Sequence, residues 1–145
     1  MAATNGAADG AVAFKNGNLV RLLLRDFMTY KKVEMKAGPN LNLVLGPNGT
    51  GKSALVCSII IGLGGEPSTT GRSGHLGEYI RFGCDSALVE IELYNETPKA
   101  KNYLIQRVMQ FGRIDGNAYT LDFQYPFSAL QALAVALANV TQRLK

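Results

Sequence analysis

The chain has 145 residues, 47% hydrophobic and 18% charged, with a mean hydropathy of +0.04, which suits one ordinary globular domain and excludes a second complete one. Fifteen Lys and Arg against eleven Asp and Glu give a net charge of +4, compatible with a polyanionic partner without demanding one. Cys57 and Cys84 lack the spacing of a zinc site and the density of a secreted disulfide scaffold. The apolar stretches at 54–63 and 127–140 are shorter than the roughly 20 residues of a membrane span, and no signal peptide opens the chain, so a soluble, unsecreted protein is expected.

Residues 1–17 are rich in Ala, Gly and Asn without a sustained period and are expected to form a flexible tail. From Asn18 the pattern becomes strand-like: Val20, Leu22 and Leu24 share one side, while Arg21 and Arg25 bracket Leu23 on the other. A turn at Tyr30-Lys31-Lys32 leads to VEMKA as a hairpin partner, and Gly38-Pro39-Asn40 marks another turn. The run LNLVL at 41–45 is expected to be a short, buried strand. SALVCSIIIGL at 53–63 reads as a helix that Gly64-Gly65 stops, and 66–77 is loop by composition. ALVEIELY alternates Leu88, Glu90, Glu92 and Tyr94 against Val89, Ile91 and Leu93, which casts Glu90 and Glu92 as the solvated face of a strand. Strands are also expected at 102–109 and 118–123, and Leu130, Leu133, Ala134 and Leu137 fall at helical spacing in an alanine-rich final segment.

Between the 41–45 run and the 53–63 helix stands GPNGTGKS, residues 46–53, which satisfies G-x-x-x-x-G-K-[ST] in the strand-then-helix context that the motif needs. Gly46, Gly49 and Gly51 let the backbone wrap closely, so that amides around Pro47, Asn48 and Thr50 converge on one anion-binding concavity. The helix N-terminus adds positive potential, the Lys52 ammonium suits the β and γ phosphates, and Ser53 offers a hydroxyl to Mg²⁺. No second acidic strand or water-orienting residue for hydrolysis is visible, and Asp115 and Asp122 sit in or beside turns. His75, the single histidine, reads as a loop residue, and the Tyr and Phe side chains as core packing.

The run GPNGTGKS-ALVC, the Gly64-Gly65-Glu66-Pro67 helix end, Gly71-Arg72, EYIRFG and ALVEIELYN resemble the SMC family of chromosome ATPases, and LLLRDFMTY is similar to the first strand and turn of its head. The resemblance covers about residues 18–95. It implies an α/β fold, a partial ABC-type P-loop NTPase head with a strand, P-loop, helix core and an antiparallel β subdomain. Residues 18–145 are then the N-terminal half-head, a fragment ending before the coiled coil.

The same resemblance implies ATP and Mg²⁺ as cofactors, the C-terminal half-head, SMC protein six and non-SMC subunits as partners, sequence-independent DNA contact and no membrane. It points to the nucleus and chromosome and to double-strand break repair by homologous recombination. Arg72 matches the family's DNA-contacting arginine, and Asn139-Val140-Thr141-Gln142 resembles the start of the Q-loop, which makes Gln142 a second Mg²⁺ ligand. Arg143-Leu144-Lys145 departs from the family's apolar-Leu-Pro continuation. The signature motif and Walker B acids belong to the other half of such a head, so this chain alone is expected not to turn over ATP. Alternatives are another P-loop enzyme, such as a small kinase or GTPase, or a nucleotide-binding remnant; no Asn-Lys-x-Asp guanine-reading segment is present.

Overall fold

A computed structural model describes residues 13–72, 74–111 and 118–123. Alternation of apolar and polar residues builds five strands: β1 (Leu19–Phe27), β2 (Tyr30–Lys36), β3 (Ser86–Leu93), β4 (Tyr103–Phe111) and β5 (Ala118–Phe123). They form one antiparallel sheet in the order β2-β1-β3-β4-β5. Among the described residues one helix, α1 (Lys52–Gly62), packs on its inner face, and two short 3₁₀ turns, Pro67–Thr70 and Leu76–Tyr79, occupy and just overrun the 66–77 stretch expected to be plain loop.

Leu22, Leu24 and Phe27 of β1, Val89 and Ile91 of β3 and Ile105 and Met109 of β4 meet Leu55, Cys57 and Ile61 of α1 in the core. The approach is close because position 62 is glycine: a Cβ there would stand 2.6 Å from Val89 Cγ1 and 2.7 Å from Ile91 Cδ1. α1 carries no basic residue in its last turn. The sheet supplies one instead: buried Arg107 of β4 donates to the Ile61 carbonyl at 2.6 Å and the Gly65 carbonyl at 3.3 Å, placing a cation at the negative end of the helix.

Four expectations are corrected. The hairpin turns at Met28-Thr29, closed by the Phe27↔Tyr30 pair with Met28 at φ 50°, and Tyr30-Lys31-Lys32 already belongs to β2. Residues 14–17 are docked rather than part of a tail: Phe14 stacks on Tyr94 at 5.6 Å and Gly17 N–H donates to the Tyr94 carbonyl at 2.8 Å.

The expected strand at 41–45 is irregular and exposed, with Leu41 91%, Leu43 65% and Leu45 67% accessible. A strand needs a neighbour, and none of the described strands pairs with this segment. Asn42 supplies local competition, accepting from Gly38 N–H at 2.7 Å and donating to the Gly38 and Asn40 carbonyls at 3.0 and 3.2 Å.

On the outer face Glu90 and Glu92 are not solvated strand residues. Both accept from Arg21 across β1–β3, Glu90 is also bonded by Gln106, and Asn102 donates to Glu92 at 2.7 Å. Glu34 lies 3.7 Å from the same guanidinium. Hydrogen bonds to Glu92 and then Glu90 hold Arg21 above its ordinary pKa, while the Asn102 bond, outweighing burial and joined by Arg21, keeps Glu92 below the usual carboxylate range.

Candidate functional site

The glycine-rich loop connects the exposed 41–45 segment to α1, and its shape follows from its glycines. Gly49 sits at φ 84° and Gly51 at φ 94°, left-handed values that favour glycine. A Cβ at Gly46 would lie 2.8 Å from Thr50 Oγ1, and one at Gly51 would lie 2.6 Å from the Tyr30 ring. Thr50 Oγ1 donates to the Pro47 carbonyl at 2.8 Å, which closes the turn, and the Tyr30 hydroxyl donates to the Thr50 carbonyl at 3.2 Å. Burial pushes the Tyr30 phenol above its ordinary pKa, so near neutral pH it is a proton donor.

Gly51 N-caps α1 without a side-chain hydrogen bond, and the first turn contains no acidic residue. The positive end of the helix is therefore open to an anion. Lys52 Nζ is turned back onto its own loop, donating to the Gly46 and Pro47 carbonyls at 2.6 Å each. Its ammonium thus already stands over the mouth of the loop, and an incoming phosphate has to compete with two carbonyl acceptors. Ser53, at the second helical position, is exposed and its hydroxyl is accessible. A cradle that side chains would fill, an uncapped helix end, a lysine at the mouth and a free hydroxyl beside it fit a Mg-nucleotide phosphate chain.

Next to the loop lies an open apolar cavity of about 410 Å³, lined among others by Leu19, Met35, Val44, Leu55, Val56 and Ile59. Val56 on the outer side of α1 is 59% exposed.

Arg72 is exposed in the loop after α1, behind Gly71 at φ 70°. Its stem is anchored: Arg72 N–H donates to Thr70 Oγ1 at 3.3 Å, and Thr70 Oγ1 shares a 2.5 Å hydrogen bond with the Tyr79 hydroxyl, which also donates to the Pro67 carbonyl at 3.2 Å. Tyr79 is buried and packs on Phe27 at 5.9 Å. Gln142 and the alanine-rich 127–138 stretch lie outside the described residues. Two supports escaped sequence reasoning, Tyr30 beneath the loop and Arg107 behind the helix, because each acts through a contact distant in sequence. Two described expectations hold: His75 precedes the second 3₁₀ turn in a loop, and Tyr79 is core, whereas Phe82 is fully exposed.

The family model for an AAA domain matches residues 21–144. The Arabidopsis thaliana structural maintenance of chromosomes protein 5 is 35% identical over 133 residues, 90% of this chain and 13% of that protein. A solved chain from work on ATP-driven dimerization and DNA stimulated activation of SMC ATPases aligns with a TM-score of 0.65 at 25% identity, covering 82% of this chain and 79% of its own. The mouse tubby-related protein 4 is 78% identical over 50 residues, 32% of this chain and 3% of that protein. The chain spans a small fraction of both curated relatives.

Proposed function

The chain belongs to the AAA-domain family, as the N-terminal part of an SMC-type ATP-binding head, and we propose that residues 46–53 bind Mg-ATP in a head of the five/six type. The observation that carries this is the loop itself: Gly49 and Gly51 in left-handed backbone, Lys52 over the mouth and an uncapped α1 behind it. Backbone amides of the loop hold the phosphate oxygens, Lys52 exchanges its two carbonyl partners for the β and γ phosphates, and Tyr30 keeps the loop from collapsing. Ser53 Oγ is the proposed Mg²⁺ ligand, and Gln142 the second. When bound, the metal neutralises phosphate charge.

The proposed partners are the C-terminal half-head, SMC protein six as heterodimer and the non-SMC subunits. Leu41, Leu43, Leu45 and Val56 support the first of these: four exposed apolar side chains beside an apolar cavity want cover that the described residues do not provide. Arg72 is the proposed DNA phosphate contact, independent of base sequence. The wider role that fits is chromosome maintenance in the nucleus, including double-strand break repair by homologous recombination.

ATP turnover tests the reading. The chain alone is expected to stay at background, and the C-terminal half-head together with protein six is expected to restore turnover that Lys52→Ala abolishes. Steady turnover by the chain alone, lost in Lys52→Ala, overturns it in favour of a self-sufficient P-loop enzyme.

A further inference from the structure

The outer face of the β1–β2 hairpin is electrically uneven. At one end Arg21 faces Lys36, and three carboxylates, Glu34, Glu90 and Glu92, surround Arg21. At the other end Arg25 of β1 stands directly opposite Lys32 of β2, both are exposed, and neither has a carboxylate within 4 Å among the described residues. Two like charges paired across neighbouring strands, with Cβ atoms about 5 Å apart, destabilise a sheet. The register nonetheless holds them together.

The surrounding contacts extend this end. Arg81 N–H donates to the Asp26 carbonyl at 2.7 Å, while its guanidinium reaches Cys84 Sγ at 4.0 Å, and Met28 N–H donates to the Tyr79 carbonyl at 2.8 Å. Through Tyr79 and Thr70 the hairpin tip is tied to the stem of the Arg72 loop. Asp26, Glu78 and Asp85 lie along the same part of the chain, and none pairs within 4 Å with Arg25, Lys32 or Arg81.

We propose that Arg25 and Lys32 form a second phosphodiester-binding surface, one that contacts the backbone of duplex DNA on the outer face of the hairpin. A phosphate between Arg25 and Lys32 removes their repulsion, and the sheet register already holds the two residues opposite each other. Among the described residues no amphipathic helix stands at this end, which favours nucleic acid over a lipid surface. The inference extends the DNA reading of Arg72 to other residues and does not use the nucleotide loop.

The test is binding of the full 145-residue chain to a mixed-sequence DNA duplex of about 30 base pairs over a salt series, beside phosphatidylserine vesicles, because fully exposed Phe82 adjoins the patch. Each phosphate contact contributes about 0.9 to the slope of log affinity against log salt, and Arg25 and Lys32 share one phosphate, so Arg25→Ala with Lys32→Ala is expected to lower it by roughly 0.9. Arg25→Lys with Lys32→Arg is expected to preserve the slope, which separates charge from fold. Arg72→Ala is run alongside. If Arg72→Ala lowers the slope and the hairpin pair does not, the hairpin inference fails and the Arg72 reading stands. If the wild-type chain does not bind duplex DNA, both fail. Vesicle binding that depends on Arg25 and Lys32, without such dependence for DNA, also overturns the proposal.

Discussion

The hydroxyl of Tyr30 donates to the carbonyl of Thr50 at 3.2 Å while its ring fills the space where a side chain on Gly51 would sit. The tip of the first hairpin therefore braces the phosphate-binding loop from below, although 20 residues separate the partners. A typical intramolecular hydrogen bond contributes about 1 kcal/mol, so Tyr30→Phe should weaken ATP affinity by roughly two- to tenfold. Tyr30→Ala, which also removes the ring, should weaken it further. Gly51→Ala should be worse still, since it sets a Cβ against the ring at φ 94°. Titration calorimetry with Mg-ATP checks the order, and equal affinity across the three variants would show that the brace has no influence on the loop.

Arg107 and Gly62 join α1 to the sheet, one by hydrogen bonds to the helix end and the other by permitting close contact. Arg107→Met keeps much of the volume and loses bonds from a charged donor to the Ile61 and Gly65 carbonyls, an expected loss of roughly 1.5–3 kcal/mol. Gly62→Ala overpacks the contact with Val89 and Ile91 and should cost about 1–3 kcal/mol. Urea unfolding monitored by circular dichroism checks both. Loss of nucleotide affinity in either variant should accompany loss of fold and not precede it.

Glu92 gives stability an acid dependence. Its folded-state pKa lies below the ordinary 4.5, so the folded state favours the ionised form. That contribution is fully present above about pH 4.5 and is lost as pH falls through the lower folded value. The Asn102 hydrogen bond is its largest single cause, and Arg21 adds a hydrogen bond and its charge, so Asn102→Ala and Arg21→Ala should each flatten the acid limb of the stability profile. Urea midpoints from about pH 7 down to about pH 3 measure it. Arg21→Ala should also lower stability across that range by roughly 1–3 kcal/mol, because it leaves Glu90 buried with Gln106 as its remaining partner.

Much of this was legible in the sequence, and the exceptions have physical causes. The expected strands at 19–26, 87–94, 102–109 and 118–123 formed within a residue or two, and VEMKA fell in the hairpin partner, because alternation is local and a sheet was there to receive them. The apolar run at 41–45 carried an equally clear signal and formed no strand, since apolarity states a wish for burial and cannot supply the neighbour. Glu90 and Glu92 alternate as solvated residues do, and only the register with β1 puts Arg21 between them. Residues 46–53 were legible because a phosphate cradle is built from consecutive positions. Tyr30 was hidden because its partner is met through the fold.

ATP binding by the loop is the central claim, and equilibrium titration of the 145-residue chain with Mg-ATP measures it, using wild type and Lys52→Ala. Removing Lys52 takes away the cation over the loop mouth, while its present partners, the Gly46 and Pro47 carbonyls, are exposed and can turn to water, so the fold should survive. The account predicts saturable, Mg²⁺-dependent binding by wild type and at least a roughly tenfold loss in Lys52→Ala, equivalent to about 1.4 kcal/mol, with unchanged circular dichroism. Equal affinity in two equally folded proteins would contradict it.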